Sequence, residues 1–400
     1  MGKIRPEENA VCIWNLQRAR TAYISGEELN ALERWGQGEN NVFADRLKTL
    51  GLIEDGERLA VKEAIALSRD KKAPRNSFCA PESLHVELTG YCPLDCPQCY
   101  KDKRKSEPLD YDFLLSVIQQ AEDIQVFQIA LGGGEPLSYP DLHLVLAEIN
   151  QRGMASSITT SGFGLDSHFL DELIGRGLRH IQISINGSNE KIHSQSRDGY
   201  EYAVRALDLL KKTKVSFGVN WVARRDNIDD FPDFIKKMKS YNVDNINILR
   251  YKPSANETYE ENRLSADKMA LLFKIIKNTR SIRLKTDSAF GKLLCHLNQR
   301  VSFMSGCGAG RRFLALDADG FYRPCSHVNM KERADNLYQL WYQSKYLDMF
   351  RSIGDKIGEP CAQCDYLLGC YGCRAVVLGQ GGDFFDGDKE CSGTHYNCWN

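Results

Sequence analysis

Residues 90–100 read Gly90-Tyr91-Cys92-Pro93-Leu94-Asp95-Cys96-Pro97-Gln98-Cys99-Tyr100, a C-x3-C-x2-C run whose glycine and two prolines keep it out of helix and strand. It directly follows residues 84–88, a strand-type run. Three thiolates on one strand-exit loop can hold three irons of a 4Fe-4S cubane and leave the fourth iron open to another ligand. Zinc is a competing use, but structural zinc takes four protein ligands and no suitably spaced His or Cys follows nearby. A disulfide with one spare thiol is the other alternative.

Outward from this loop the chain alternates. Strand-like runs stand at residues 84–88, 126–131, 155–160, 180–185, 215–222 and 245–249. Amphipathic helical runs lie between them, such as residues 111–121 with Leu114, Leu115 and Ile118, and residues 202–211 with Val204, Leu207 and Leu210. Six such units predict an α/β fold, a partial (β/α)6 TIM-like barrel with functional loops at the C-terminal ends of its strands. Ahead of it, short strands at residues 10–14 and 21–24, a Ser25 placed to cap a helix starting near Glu27, and a helix carrying Phe43, Leu47 and Leu50 make a winged-helix-like or peptide-recognition module. A charged linker, residues 69–75, follows. The expected units are residues 1–78, 79–280 and 281–400, the last dense in Cys and Gly, as where metal clusters replace a hydrophobic core.

Hydrophobic residues are 42% of the 400 and charged residues 26%, which excludes wholesale disorder. A formal net charge of −1 supplies no global field for nucleic acid or acidic lipid. The first residues are charged and no apolar run has the length of a membrane span, so a cytoplasmic protein with neither nucleic-acid nor membrane partners is expected. Against that compartment the 14 cysteines are anomalous, because a reducing cytosol does not sustain structural disulfides. Metal ligation is the better use. Cys12 and Cys79 stand apart and read as buried free thiols.

The cysteine triplet after the first strand of a six-unit barrel resembles the radical S-adenosylmethionine (SAM) superfamily. In that family SAM chelates the open iron, and one electron from the cluster cleaves it to methionine and a 5′-deoxyadenosyl radical. The resemblance implies Cys92, Cys96 and Cys99 as cluster ligands, and Gln98 at the position where the family commonly puts an aromatic adenine contact. Gly132-Gly133-Gly134-Glu135-Pro136 stands after the second strand, where the family has its GGE motif, which implies Gly133, Gly134 and Glu135 at the SAM amino group. Thr159-Thr160-Ser161-Gly162 ends the third strand, and Ser184 ends the fourth with Arg197 downstream, which implies Ser161, Ser184 and Arg197 as ribose and carboxylate contacts.

The stretch from Cys307 to Cys325 reads C-x12-G-x4-C around Gly320, and Cys361, Cys364, Cys370, Cys373 and Cys391 follow. This is similar to the SPASM extension, which holds two auxiliary 4Fe-4S clusters and brings the implied total to three. The family's interleaved pattern implies Cys361, Cys364, Cys370 and Cys391 on one cluster and Cys307, Cys325 and Cys373 on the other. Cys295 is the candidate fourth ligand there, on a helix expected over residues 290–297, with an iron left open as the alternative. Cys398 reads as a free thiol. A pair of zinc sites is the competing reading of this region, since C-x2-C pairs also bind zinc.

The resemblance implies a radical SAM/SPASM maturase of a ribosomally made peptide, forming a thioether, a carbon-carbon crosslink or a related oxidation. Its partners would be a precursor peptide with a leader and a flavodoxin- or ferredoxin-type electron donor. A sulfatase-type maturase is the second enzymatic reading, and a nonenzymatic electron carrier the third. A carrier has no need of Glu135 or Arg197.

Overall fold

The computed structural model describes residues 2–15, 20–101, 107–254, 257–291 and 306–390. At its N-terminus, strands β1 (Gly2–Glu7), β2 (Ala10–Asn15) and β3 (Arg20–Ser25) form an antiparallel sheet in that order. Helices Gly26–Gly36, Val42–Thr49 and Arg58–Ser68 cover one face of it, burying Leu32, Trp35, Leu47, Val61 and Ile65 against Val11, Ile13 and Ile24. Ser25 occupies the N-cap of the first helix as expected, but its side chain makes no capping bond.

The other face is welded to the rest of the chain. Trp14 stacks on Phe127 at a centroid distance of 5.9 Å, and Cys12 is sealed in the same joint. Arg5, fully buried, pairs with Glu7 at 2.6 Å and donates to the carbonyls of Pro81 and Gln125 at 2.9 and 3.1 Å. Glu7 in turn accepts from the Cys79 amide at 2.6 Å. A buried pair so enclosed costs much if one partner is lost, so this contact fixes the module's seat.

The six expected strands form as β4 (Ser83–Thr89), β5 (Gln128–Gly133), β6 (Ala155–Thr160), β7 (His180–Ser184), β8 (Ser216–Ala223) and β9 (Asn245–Arg250), all parallel and in sequential order. Two further parallel strands flank them: β10 (Arg283–Thr286) pairs with β9, and β11 (Phe313–Leu316) pairs with β4. The short β12 (Tyr322–Arg323) returns antiparallel to β11 and completes a nine-stranded sheet. Three strands beyond position 280 therefore belong to the same sheet as β4 to β9.

Alternation explains which face is which. In β4, Leu84, Val86 and Leu88 are buried under the helix Tyr111–Asp123, which offers Leu114, Val117 and Ile118. The alternate residues face a hollow and are polar: Gln128 donates to Ser157 at 2.9 Å, Asn247 to Asn220 at 3.0 Å, and Asn245 to Asn247 at 2.8 Å. A TIM barrel fills its interior with branched apolar side chains, whereas this sheet keeps a polar lumen. The lumen opens at the strand C-termini, where the site lies.

Gly320 has a structural reason. It takes φ +78° in the turn between β11 and β12, where the Asp317 carboxylate accepts from the Asp319 and Phe321 amides at 3.1 and 2.9 Å. Among the described residues no helix is long and apolar enough to cross a membrane.

Candidate active site

The ends of β4 to β7 open into a cavity of about 510 Å³. Cys92, Cys96 and Cys99 line it together with Gly133, Gly134, Glu135, Ser161, Ser184 and Arg197. The sequence candidates thus converge, with one exception. Gln98 does not line the cavity; it is buried behind the loop, where its Oε1 accepts from Asn186 Nδ2 at 3.0 Å.

Asn186, two residues past Ser184, is the hub that sequence reasoning left without a role. Fully buried, it also donates to Ser196 Oγ at 2.8 Å, accepts from the Val222 amide at 3.1 Å, and receives Trp221 Nε1 on its carbonyl at 3.2 Å. It therefore ties the cysteine loop to the exits of β7 and β8. Two backbone bonds finish the seat: the Asp95 amide donates to Asp198 Oδ2 at 2.7 Å, and the Gln98 amide to the Ser196 carbonyl at 3.2 Å. The only advance signal was position, a polar residue at a strand exit.

The glycines after β5 are required by close approach. A Cβ on Gly134 would lie 2.0 Å from the Tyr91 carbonyl oxygen, and one on Gly133, which has φ +124°, 2.5 Å from that of Thr89. The two strand exits are laced there by amides donating from Gly134 to Thr89 at 2.7 Å and from Glu135 to Tyr91 at 2.8 Å. Glu135 is buried, and its carboxylate accepts from the Thr160 hydroxyl, the Ser161 amide and hydroxyl, and the Leu137 amide. Burial raises its pKa despite these donors. Its acceptor positions are spent on joining the β5 exit to the β6 exit.

Arg197 contributes differently: it lines the cavity, and its Nε is buried with no hydrogen-bond partner among the described residues. A guanidinium with an unsatisfied donor at a cavity wall suits a carboxylate ligand. The thiols suit a metal cluster. Partial desolvation pushes the thiol of the exposed Cys92 up to about 11, and burial pushes that of Cys96 upward against the pull of Arg197. No three His, Cys, Asp or Glu side chains among the described residues group closely enough for one metal ion. The cysteines surround a space instead of converging on a point.

Cys307, Cys325 and Cys373 line the same cavity. Cys361, Cys364 and Cys370 line a separate, smaller cavity beside it. Cys370 and Cys373 diverge because Tyr371 and Gly372, at φ +63° and +62°, reverse the chain between them. Cys295, Cys391 and Cys398 lie outside the described residues, as does all but the start of the helix expected over residues 290–297. Cys12 and Cys79 are buried.

His193 supports the loop from below. It is fully buried, its Nδ1 accepts from the Asn186 amide at 3.2 Å, and Nε2 faces the Asp198 carbonyl at 3.1 Å, so the neutral tautomer protonated on Nε2 fits both. Burial lowers its pKa from 6.5 to about 4. The unfolded chain therefore binds a proton between those values and the folded one does not. Stability contributed by neutral His193 is complete above about pH 6.5 and is lost as pH falls toward about 4, by about 3 kcal/mol in all. The His193→Gln variant is expected to show a correspondingly flatter fall in thermal stability over that range; parallel curves for variant and parent would remove the assignment.

Comparison with known proteins agrees with this geometry. The family described as "Radical SAM superfamily" matches residues 86–248. The PqqA peptide cyclase of Methylorubrum populi is 26% identical over 343 residues, spanning 80% of this chain and 87% of its own. That of Gluconobacter oxydans is 27% identical over 341 residues, spanning 79% and 92%. Among solved structures, Streptococcus suis SuiB bound to S-adenosylmethionine shares the fold with a TM-score of 0.75 at 16% identity over 98% of both chains. Native anSMEcpe with bound AdoMet does so with a TM-score of 0.61 at 17% identity, over 76% of this chain and 92% of its own.

Proposed function

We propose that this chain, a radical SAM superfamily member through residues 86–248, matures a ribosomally made precursor peptide by an oxidative crosslink, either a thioether or a carbon-carbon bond. One observation carries the reading: a single cavity is lined both by Cys92, Cys96 and Cys99 and by Cys307, Cys325 and Cys373. A substrate in that cavity would have both a hydrogen-abstracting radical and an electron acceptor within the same enclosure. Abstraction of one hydrogen followed by bond formation leaves one electron and one proton to be removed, and an auxiliary cluster held by Cys307, Cys325 and Cys373 would supply the acceptor for that electron.

In this reading Cys92, Cys96 and Cys99 bind the cluster that cleaves SAM, and Gly133, Gly134, Ser161, Ser184 and Arg197 form the SAM cradle, with Arg197 on the carboxylate. Glu135 and Gln98 hold the cradle's shape. Cys307, Cys325 and Cys373, with Cys295, hold one auxiliary cluster; Cys361, Cys364 and Cys370, with Cys391, hold the other. A flavodoxin- or ferredoxin-type protein supplies the first electron. The substrate class draws on the relatives: the PqqA peptide cyclases are 26–27% identical, and SuiB has been solved with precursor peptide SuiA. The likeness to SuiB extends over 98% of the chain and so includes the N-terminal sheet, which supports a leader-bearing peptide as substrate.

The direct test is anaerobic turnover with the short peptides encoded beside this chain's gene. A peptide that loses two hydrogens in step with 5′-deoxyadenosine release supports the reading; SAM cleavage with no peptide altered rejects it.

The leader would add as a strand at an outer edge of the N-terminal sheet, β3 being one such edge. Neighbouring amides on an edge strand point alternately inward and outward, so proline scanning separates stability from recognition. Of Thr21→Pro and Ala22→Pro, one is expected to lose a bond to β2 and melt earlier. The other should keep its melting temperature and its uncoupled SAM cleavage, while KM for the full precursor rises about tenfold. Unchanged KM in both would exclude β3 as the leader's edge.

A further inference from the structure

Arg250, the last residue of β9, leaves the sheet and enters the cavity lined by Cys361, Cys364 and Cys370. Its guanidinium is nearly sealed from solvent and is held on two sides. Nη1 and Nη2 grip Asp388 in a fork at 2.6 and 3.1 Å, Nη2 also donates to Glu390 at 2.8 Å, and Nη1 to the Ala289 carbonyl at 3.1 Å. The fifth donor, Nε, is buried and has no partner among the described residues. A buried charged donor left unsatisfied is costly, and it stands at the wall of a cavity whose other lining includes three thiols.

Asp388 does more than anchor Arg250. Its Oδ2 also accepts from the Cys373 amide at 3.3 Å, and its own amide donates to Cys361 Sγ at 3.4 Å. One residue thus touches a cysteine of each C-terminal set, Cys373 at the large cavity and Cys361 at the small one.

We propose that Arg250 donates a hydrogen bond through Nε to an iron-sulfur cluster held by Cys361, Cys364 and Cys370, and that Asp388 is the positioning residue holding this cation and both C-terminal thiol sets in register. The inference rests on the reading of two auxiliary clusters above. Hydrogen bonds and positive charge at the sulfurs favour the reduced cluster and raise its reduction potential, and a carboxylate at the same place does the reverse. Arg250 and Asp388 therefore act with opposite sign. Cation and anion are matched so that the cluster keeps a potential at which it can still take an electron.

The test uses the full chain with Cys92, Cys96 and Cys99 replaced by Ala, which removes the SAM-side cluster signal, and follows iron content and redox titration by electron paramagnetic resonance. Iron near zero in this parent would overturn the two-cluster reading and this inference with it, before any variant is made. With iron near eight per chain, two auxiliary clusters at four irons each, Arg250→Lys keeps the charge facing both acids but lacks the Nε donor, and one of the two potentials is expected to move negative. Asp388→Asn keeps the amide bond to Cys361 and removes the charge, and the same potential is expected to move positive. A merely structural role does not predict opposite signs. Shifts of one sign in both variants, or none, overturn the proposal. If Arg250→Lys loses iron, Asp388→Asn decides alone: retained iron with a positive shift supports it, and an unmoved potential overturns it.

Discussion

Replacing Cys92, Cys96 and Cys99 together by alanine is expected to abolish release of 5′-deoxyadenosine under dithionite, a loss on the order of 10³-fold or more, because these side chains act as one unit. For the same reason each single replacement should cost nearly as much as all three. The three cysteines line the cavity and sit on a loop that docks on Ser196 and Asp198, at a distance in sequence from the C-terminal cysteines. Iron should fall only from about twelve to about eight per chain, one 4Fe-4S cluster out of three. Iron near four in the parent, or zinc in its place, would end the three-cluster description. A triple variant that still cleaves SAM would end the assignment of the loop.

Glu135→Ala is expected to destabilise the fold itself by about 3–5 kcal/mol, in addition to weakening SAM binding. Deleting the carboxylate strands the Thr160 hydroxyl, the Ser161 amide and hydroxyl and the Leu137 amide, all buried and all now bonded to it. Glu135→Gln retains one good acceptor and should lose roughly half as much. Chemical denaturation gives the stability, and calorimetric SAM titration the affinity. A Glu135→Ala protein with the parent's unfolding midpoint and the parent's SAM affinity would remove the residue from both roles.

Most of the sheet was legible because half-buried parallel strands carry their signal locally. The run at residues 155–160 reads as a strand from its sequence and forms one over the same residues. β1 was not legible: it contains Pro6, Arg5 and Glu7, whose polar groups find partners in the interior, Arg5 in Glu7 and the Pro81 and Gln125 carbonyls and Glu7 in the Cys79 amide. Tertiary contacts there override local preference. The helix Arg58–Ser68, which buries Val61, Ala64 and Ile65 just ahead of the charged residues 69–75, was not among the expected elements. β11 has four residues, too few for periodicity to register.

The site was legible in its residue types and less so in their directions. Cysteine spacing marks a candidate ligand loop, because a cluster would demand thiols at fixed reach. Spacing cannot reveal that Gln98 turns inward to Asn186, or that Glu135 has used its acceptors within the protein. Nor does it reveal why Cys370 and Cys373, two residues apart, belong to different cavities. That depends on two successive left-handed backbone conformations, at Tyr371 and Gly372, one of them at a residue type that rarely adopts it.

The pairing of β4 with β11 also sets an order of events during synthesis. β4 borders the cysteine loop, and its outer neighbour is made of residues that emerge from the ribosome far later, Phe313 to Leu316. At ordinary elongation rates the interval is roughly tens of seconds. For that time β4 is an open edge, and the wall carrying Cys307 and Cys325 does not yet exist. If Cys92, Cys96 and Cys99 hold a cluster as proposed, a protein delivering iron and sulfide to them would find the cavity open before β11 pairs with β4.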